Sequence, residues 1–177
     1  MEILVAQGKT TGVNNPEAFI FYTKLNLQRL QRWDKTFHLN EALTIKAKIV
    51  KPQIWWLITE AWCGDAAQTL PVMNKIVENS AGNIELRIIM RDENLSIMDH
   101  YLTNGVSRSI PILVAVDKND NELFHWGPRP QLAQKMMMDW KVNNAGITFN
   151  DIEKEIHAWY AKDKGETTEQ ELLVLLQ

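Results

Sequence analysis

The chain has 177 residues, of which 45% are hydrophobic and 23% are charged, a composition typical of one globular domain with a sizeable core. Its formal net charge of −3 gives no electrostatic reason to expect nucleic acid or an anionic membrane as a partner. No apolar run approaches the roughly 20 residues that span a bilayer, and the first residues lack the basic segment of a secretory signal. We therefore expect a cytoplasmic protein with a single domain, residues 1–177.

Residues 1–50 are predicted to form a helical extension. The run Asn15–Glu17 is typical of a helix start, with asparagine as the N-cap and proline at the first helical position. Apolar residues then recur every three or four positions as far as Phe37, which predicts a helix of about twenty residues with one buried stripe. A second, shorter helix is expected over Glu41–Lys48.

The single cysteine lies between a predicted strand and a predicted helix. Ile54–Ile58 is a continuous apolar run, typical of a strand buried on both faces, and the residues from Gly64 onward favour a helix. Cys63 would then occupy a helix N-terminus, where free backbone N–H groups and the helix dipole stabilise a thiolate. Asp65 in the first turn opposes this effect. We expect the helix terminus to prevail and the pKa of Cys63 to lie below its usual value of about 8.5.

Two strands and a hairpin partner are predicted after this helix. Ile84–Met90 alternates and then becomes fully apolar, as a parallel strand does when it follows a helical crossover. Pro111–Asp117 begins with a proline, which is tolerated at the first position of a strand, and Glu122–Trp126 returns antiparallel to it. Asn94–Thr103 is expected to be one short helix. The pattern predicts an α/β fold with a four-stranded mixed sheet flanked by helices.

The C-terminal part of the chain is predicted to be helical. Gly127–Pro130 ends the hairpin, and the methionine run Met136–Met138 that follows has the helical spacing of a core face. The sheet and its helices therefore occupy residues 51–146, and residues 147–177 form a second helical extension.

This second extension is predicted to contain two helices separated by Gly165. Asn150 and Glu153 are interpreted as the capping pair of the first helix, and His157 is expected to form a solvated pair with Glu153 one turn later. The second helix opens near Thr168 and ends in Leu172–Leu176, which is too apolar to stay solvated alone. We expect it to dock on the body of the protein, or else on a second subunit, so that the protein is a monomer or a homodimer.

Two motifs resemble the thioredoxin family. Residues 62–66, Trp-Cys-Gly-Asp-Ala, are similar to the family signature Trp-Cys-Gly-x-Cys, and Pro71 stands where thioredoxins carry the proline that bends the active-site helix. Residues 109–111, Ser-Ile-Pro, resemble the start of the family strand whose proline follows a cis peptide bond and faces the active cysteine. Together with Trp126–Pro130 and the Asp-Glu-Asn-Leu run at 92–95, the first motif resembles a bacterial thioredoxin-like subgroup with a helical N-terminal extension.

The resemblance implies a thioredoxin-like fold and assigns roles around the cysteine. Cys63 is the implied catalytic residue. Trp62, Gly64, Ile110 and Pro111 are the implied substrate-binding residues, with Trp62 as an apolar rim, while Asp65, Ala66 and Pro71 have structural roles at the site. No cofactor or metal is expected, because the four histidines are scattered and lack the spacing of zinc ligands.

Two departures from the family pattern leave the activity open. Ala66 stands where the second, resolving cysteine would be, and Leu57 stands where thioredoxins carry a buried aspartate. The preferred function is exchange with a protein or a low-molecular-weight thiol or disulfide through a mixed disulfide on Cys63, which needs an external thiol for release. The alternatives are a redox-silent binding module and a dithiol oxidoreductase whose resolving cysteine has been replaced by Ala66.

Overall fold

The computed structural model describes residues 1–13 and 15–176. Within these residues the helices are α1 (Glu2–Ala6), α2 (Glu17–Thr36), α3 (Glu41–Ile49), α4 (Gly64–Glu78), α5 (Leu95–Met98), α6 (Gln131–Val142), α7 (Phe149–Asp163) and α8 (Glu166–Leu175). The strands are β1 (Gln53–Thr59), β2 (Ile84–Met90), β3 (Ile112–Asp117) and β4 (Glu122–Trp126). None of the helices in the described ranges is both long and apolar enough to cross a membrane.

The four strands form one mixed sheet, as the sequence predicts, and their order is β2-β1-β3-β4. Strands β1 and β2 are parallel and joined through α4, whereas β3 is antiparallel to both β1 and β4. Leu57 in the central strand β1 pairs with Ile88 on one side and Leu113 on the other. The C-terminal end of β1 therefore lies next to the N-terminal end of β3, and this is where the two sequence motifs meet.

One face of the sheet packs on helices from both ends of the chain. The core of this face combines strand residues such as Trp55 and Leu113 with Trp33 and Phe37, at the end of α2. Leu172 of α8 is fully buried in the same core, so the last helix docks on the body of the protein. The two helical extensions thus bury apolar side chains in the same core as the sheet.

The opposite face of the sheet is covered by the segment 91–101. The sequence predicts one helix over Asn94–Thr103, but the segment forms a 3₁₀ turn at Arg91–Glu93, the four-residue α5 and a second 3₁₀ turn at Asp99–Tyr101. Met98 is fully buried against this face. Since so short a cover leaves Ile54 and Trp56 only half-buried, the expectation that β1 is buried on both faces holds for its C-terminal half alone.

The N-terminal cap of α2 differs from the prediction. Pro16 is the N-cap and the first helical residue is Glu17. The side chain of Asn15 accepts a hydrogen bond from the backbone N–H of Thr10 at 2.9 Å instead of capping the helix. Asn15 thereby ties the preceding loop together, and the short helix α1 in front of this loop is not apparent from the sequence pattern.

The capping pair of α7 lies two residues before the predicted one. Thr148 and Asp151 form a reciprocal capping box, so the assignment of Asn150 and Glu153 to this role is wrong. Helix α8 follows Gly165, whose φ of +85° requires the left-handed region that favours glycine. The predicted break at this glycine is correct, and α8 begins one residue after it rather than at Thr168.

Candidate functional site

Cys63 lies at the turn between β1 and α4, with its sulfur held between two backbone segments. The thiol donates a hydrogen bond to the carbonyl oxygen of Ile110 at 3.3 Å, and Sγ accepts one from the N–H of Ala66 at 3.4 Å. The peptide bond between Ile110 and Pro111 is cis. Only 6% of Cys63 is exposed. Cys63, Ala66 and Ile110, which the two motifs contain, therefore meet at the N-terminus of α4.

The thiol of Cys63 is protonated at neutral pH. Burial and the carboxylate of Asp65 raise its pKa to about 12, and the N–H of Ala66 and the guanidinium of Arg129 offset only part of this rise. The expectation of a lowered pKa is therefore wrong. The helix terminus does supply a hydrogen bond to the sulfur, but loss of solvation outweighs a dipole equivalent to roughly half a charge.

Asp65 is buried beside Cys63, and neighbouring donors compensate for the burial of its carboxylate. Its Oδ2 lies 2.6 Å from Nη2 of Arg129, and both side chains are 13% exposed. Its Oδ1 accepts a hydrogen bond from the hydroxyl of Tyr160 at 3.1 Å. Burial raises the pKa of Asp65, while Arg129 and Tyr160 lower it. Both carboxylate oxygens thus have a donor, which is what a buried carboxylate requires.

Helix α2 covers the site from one side. The ring of Trp62 stacks on Phe19 with the centroids 4.3 Å apart, and the guanidinium of Arg91 lies 4.9 Å from the centroid of the same indole. Trp62 therefore borders the site, but its half-buried, stacked ring offers less surface to a ligand than an open rim would.

Helix α7 brings His157 to the site, and two neighbours fix the position of its proton. Nε1–H of Trp33 can only donate, and it donates to Oε1 of Gln68 at 2.8 Å. The amide NH₂ of Gln68 must then face Nδ1 of His157, 3.1 Å away, and donate to it. The imidazole proton is therefore on Nε2. A Cβ added at Gly64 would lie 2.8 Å from that nitrogen, so Nε2 packs directly beside the cysteine turn.

The surroundings of His157 keep its ring neutral. Burial lowers its pKa to about 4, and the guanidinium groups of Arg29 and Arg129 add to the decrease. The expected solvated pair with Glu153 is wrong. Glu153 instead accepts a hydrogen bond from the hydroxyl of Tyr22 at 3.1 Å, because α7 lies against α2 rather than in open solvent.

These side chains enclose a cleft of about 250 Å³ in front of Cys63. Its walls are largely apolar, with contributions from Phe19, Met137, Phe149 and Ile156. The side chains of Trp62, Arg91, Arg129 and His157, which also line it, carry nitrogen atoms. Gly64 and Ile110 also border it, whereas Leu57 and Pro71 are buried away from it. In the described part of the chain, no group of three or more His, Cys, Asp or Glu side chains is arranged to hold a metal ion.

Four residues of the site are not found by the sequence analysis. Gln68, Tyr160 and His157 carry no motif, and their roles depend on how α7 folds back over α4. Arg129 does carry a signal, because a charged residue between Pro128 and Pro130 has a restricted backbone on both sides. That restriction makes it suitable for holding a fixed partner such as Asp65.

The fold consists of a strand, a helix and a parallel strand, followed by an antiparallel hairpin. The cysteine lies at the first turn, and its thiol donates to the carbonyl of Ile110, the residue before the cis Pro111. Together these features define a thioredoxin-like α/β fold. The family model described as Thioredoxin matches residues 12–141. This chain belongs to the thioredoxin family.

Two solved structures share the fold over nearly the whole chain. A Pseudomonas aeruginosa protein described as being of unknown function is 19% identical, with a TM-score of 0.63 and coverage of 99% of this chain and 89% of its own. An HIV epitope scaffold is 18% identical, with a TM-score of 0.62 and coverage of 98% and 95%. No curated protein sequence matches the chain significantly. At these identities the structural likeness establishes the fold and not the activity.

Proposed function

We propose that this protein is a thioredoxin-fold binding protein whose cleft beside Cys63 takes a small ligand, with the cysteine as a protonated lining group. The observation that carries this proposal is the enclosure of Cys63, whose thiol hydrogen is donated to the carbonyl oxygen of Ile110 and whose pKa is raised by burial and by the carboxylate of Asp65. Thiol exchange requires the thiolate, and burial and this carboxylate both favour the thiol.

The site lacks the second thiol that dithiol chemistry requires. In a dithiol reductase a second thiolate beside the first attacks the mixed disulfide at an effective concentration that free thiols do not reach. Ala66, whose N–H contacts the sulfur of Cys63, has no thiol to supply, and Leu57 is a fully buried core residue with no proton to exchange. These two residues favour a binding role over reductase turnover.

The side chains around Cys63 limit the size of the ligand that the cleft can take. An extended protein substrate would have to reach a cysteine that is only 6% exposed, in a cleft that Phe19 of α2 and Phe149 of α7 border. A small molecule needs only to fit the volume of about 250 Å³. The geometry therefore favours a low-molecular-weight ligand over a protein disulfide.

Monothiol exchange with a low-molecular-weight disulfide is the second candidate. It is favoured by the position of Sγ at the border of the cleft, next to the backbone of Ile110. In that reaction the Cys63 thiolate would displace one thiol from the disulfide and keep the other as a mixed disulfide, and an added thiol would release it.

Mass spectrometry of the intact protein separates the two candidates. We expect Cys63 to stay unmodified after exposure to oxidised glutathione at about pH 7.5, and to form the mixed disulfide when the same mixture contains enough guanidinium chloride to unfold the chain. The Cys63→Ser variant gives the background in both conditions. A mixed disulfide on the folded wild-type protein at the same pH would favour monothiol exchange and reject the proposed binding role.

A further inference from the structure

The acceptors that face the cleft are already engaged within the protein. Both carboxylate oxygens of Asp65 are bound, one to Arg129 and one to Tyr160. The carbonyl oxygen of Ile110 accepts the thiol hydrogen of Cys63. A ligand that relied on donating hydrogen bonds to these groups would have to break existing ones, at a cost comparable to what it gained.

Several donors at the cleft are not engaged. Nε2 of His157 carries the imidazole proton and forms no hydrogen bond with any residue in the described ranges. Nε of Arg129 and Nε1 of Trp62 are buried nitrogen atoms that likewise lack a partner there. A buried donor without an acceptor is costly, as for the nitrogens of Arg129 and Trp62, so this cleft is suited to a ligand that brings acceptors.

The local charge around His157 specifies the kind of acceptor. The guanidinium groups of Arg29 and Arg129 both act against a positive charge on the imidazole, so the potential at the ring is positive. Glu153, the other carboxylate of the cleft, is bound to the hydroxyl of Tyr22. An anionic acceptor at Nε2 therefore meets attraction from the cations and needs no proton transfer from the histidine.

We propose that the cleft takes a small organic carboxylate, with one carboxylate oxygen accepting the hydrogen bond of His157 Nε2 and the apolar body of the ligand lying against Phe149 and Ile156. This inference rests on the proposed function, because a ligand that reacts with Cys63 would be held by the sulfur instead. Gln68 is a positioning residue in this arrangement, since it and Trp33 keep the proton on the nitrogen that faces the ligand.

The test uses acetate, benzoate and 3-phenylpropionate as probes, with benzyl alcohol as the neutral counterpart of benzoate. Titrations of the full chain are followed by isothermal calorimetry and by the ¹⁵N resonances of His157. We expect at least one carboxylate to bind in the millimolar range or tighter and to shift the Nε2 resonance, with benzyl alcohol about tenfold weaker or more. No binding by the three carboxylates at millimolar concentration, or equal binding of benzyl alcohol, would overturn the proposal.

Variants locate the contact within the cleft. His157→Phe keeps an aromatic ring but removes the donor, and we expect it to weaken carboxylate binding by about tenfold or more, as the loss of a hydrogen bond to a charged group does. The matched control is His38→Phe, at an exposed histidine, which should bind like the wild type. If His157→Phe does not fold, the Nε2 resonance of the wild-type protein decides alone. Failure of this inference is distinct from failure of the proposed function, because Cys63 would then still resist oxidised glutathione.

Discussion

Arg129 and Asp65 form an ion pair across the entrance to α4, with Nη2 2.6 Å from Oδ2 and both side chains 13% exposed. The pair joins the first turn of α4 to the loop that leads into α6, although the two residues lie far apart in the sequence. The hydroxyl of Tyr160 adds a third element, α7, to the same carboxylate. The ion pair thereby fixes the elements that close over Cys63.

Removing one partner of this pair should be far more costly than removing both. We expect Arg129→Leu to lower the free energy of unfolding by about 3 to 5 kcal/mol, because it leaves the Asp65 carboxylate buried without a cation. The double variant Arg129→Leu with Asp65→Asn should recover most of this loss, since the introduced amide needs no counter-charge and its oxygen still accepts from Tyr160. Urea unfolding of the two single variants and the double variant completes the cycle. Additive losses would show that the pair contributes no coupling.

The reactivity of Cys63 should increase with pH far beyond the range of an ordinary thiol. Because burial and Asp65 raise its pKa to about 12, we expect the rate of alkylation by iodoacetamide to keep rising through about pH 10 without a plateau. The same protein unfolded in guanidinium chloride should show a midpoint near the usual value of about 8.5. A plateau below about pH 9 in the folded protein would contradict the assigned environment.

Asp65 is one of the two causes of this raised pKa, so its charge can be tested separately. Asp65→Asn should increase the alkylation rate of the folded protein at about pH 8, provided that circular dichroism confirms the fold. An unchanged rate would show that burial alone controls the thiol.

The sheet and most of the helices are predictable from the sequence because their signals are local. The apolar runs of β1 and β2 and the turn before β4 specify strands within one or two residues of those observed. Helix ends are less well predicted, as at Pro16 and Thr148, because several polar residues in a row are able to cap and tertiary contacts choose among them.

The candidate site is predictable only where it carries a motif. The positions of Cys63 and Pro111 follow from the resemblance, but the pKa of the thiol does not, because it depends on α7 returning over the site from much later in the chain. The sequence shows the dipole that favours a thiolate and the carboxylate that opposes it. It does not show the burial that decides between them.

His157 should make the protein less stable in mild acid. Its pKa is about 4 in the folded protein and about 6.5 when unfolded, so between these values the unfolded chain binds the proton more readily. Stability present above about pH 6.5 is therefore lost as the pH falls toward 4, by about 3 kcal/mol for this group. Urea unfolding between about pH 7 and pH 4 should show a steeper decrease for the wild type than for His157→Gln. His38→Gln is the control and should keep the steep decrease.

Gly127 should tolerate no side chain, because it packs against the strand that faces Cys63. A Cβ at this position would lie 2.3 Å from the carbonyl oxygen of Pro111, and the φ of +125° is unfavourable for other residues. We expect Gly127→Ala to lower the free energy of unfolding by about 3 kcal/mol or more, because the contact is with backbone that cannot turn away. Gly82→Ala is the matched control: its φ is +86° but nothing lies within 4 Å, so the loss should be about 1 kcal/mol.

The same substitution should also report on the site. We expect the introduced Cβ to shift the backbone at Pro111 and with it the neighbouring carbonyl of Ile110, which weakens the hydrogen bond from Cys63. We therefore expect Gly127→Ala, where it remains folded, to alkylate faster at Cys63 than Gly82→Ala does at the same pH. Equal stability losses in the two variants, together with equal alkylation rates, would contradict the close packing of Gly127 on Pro111.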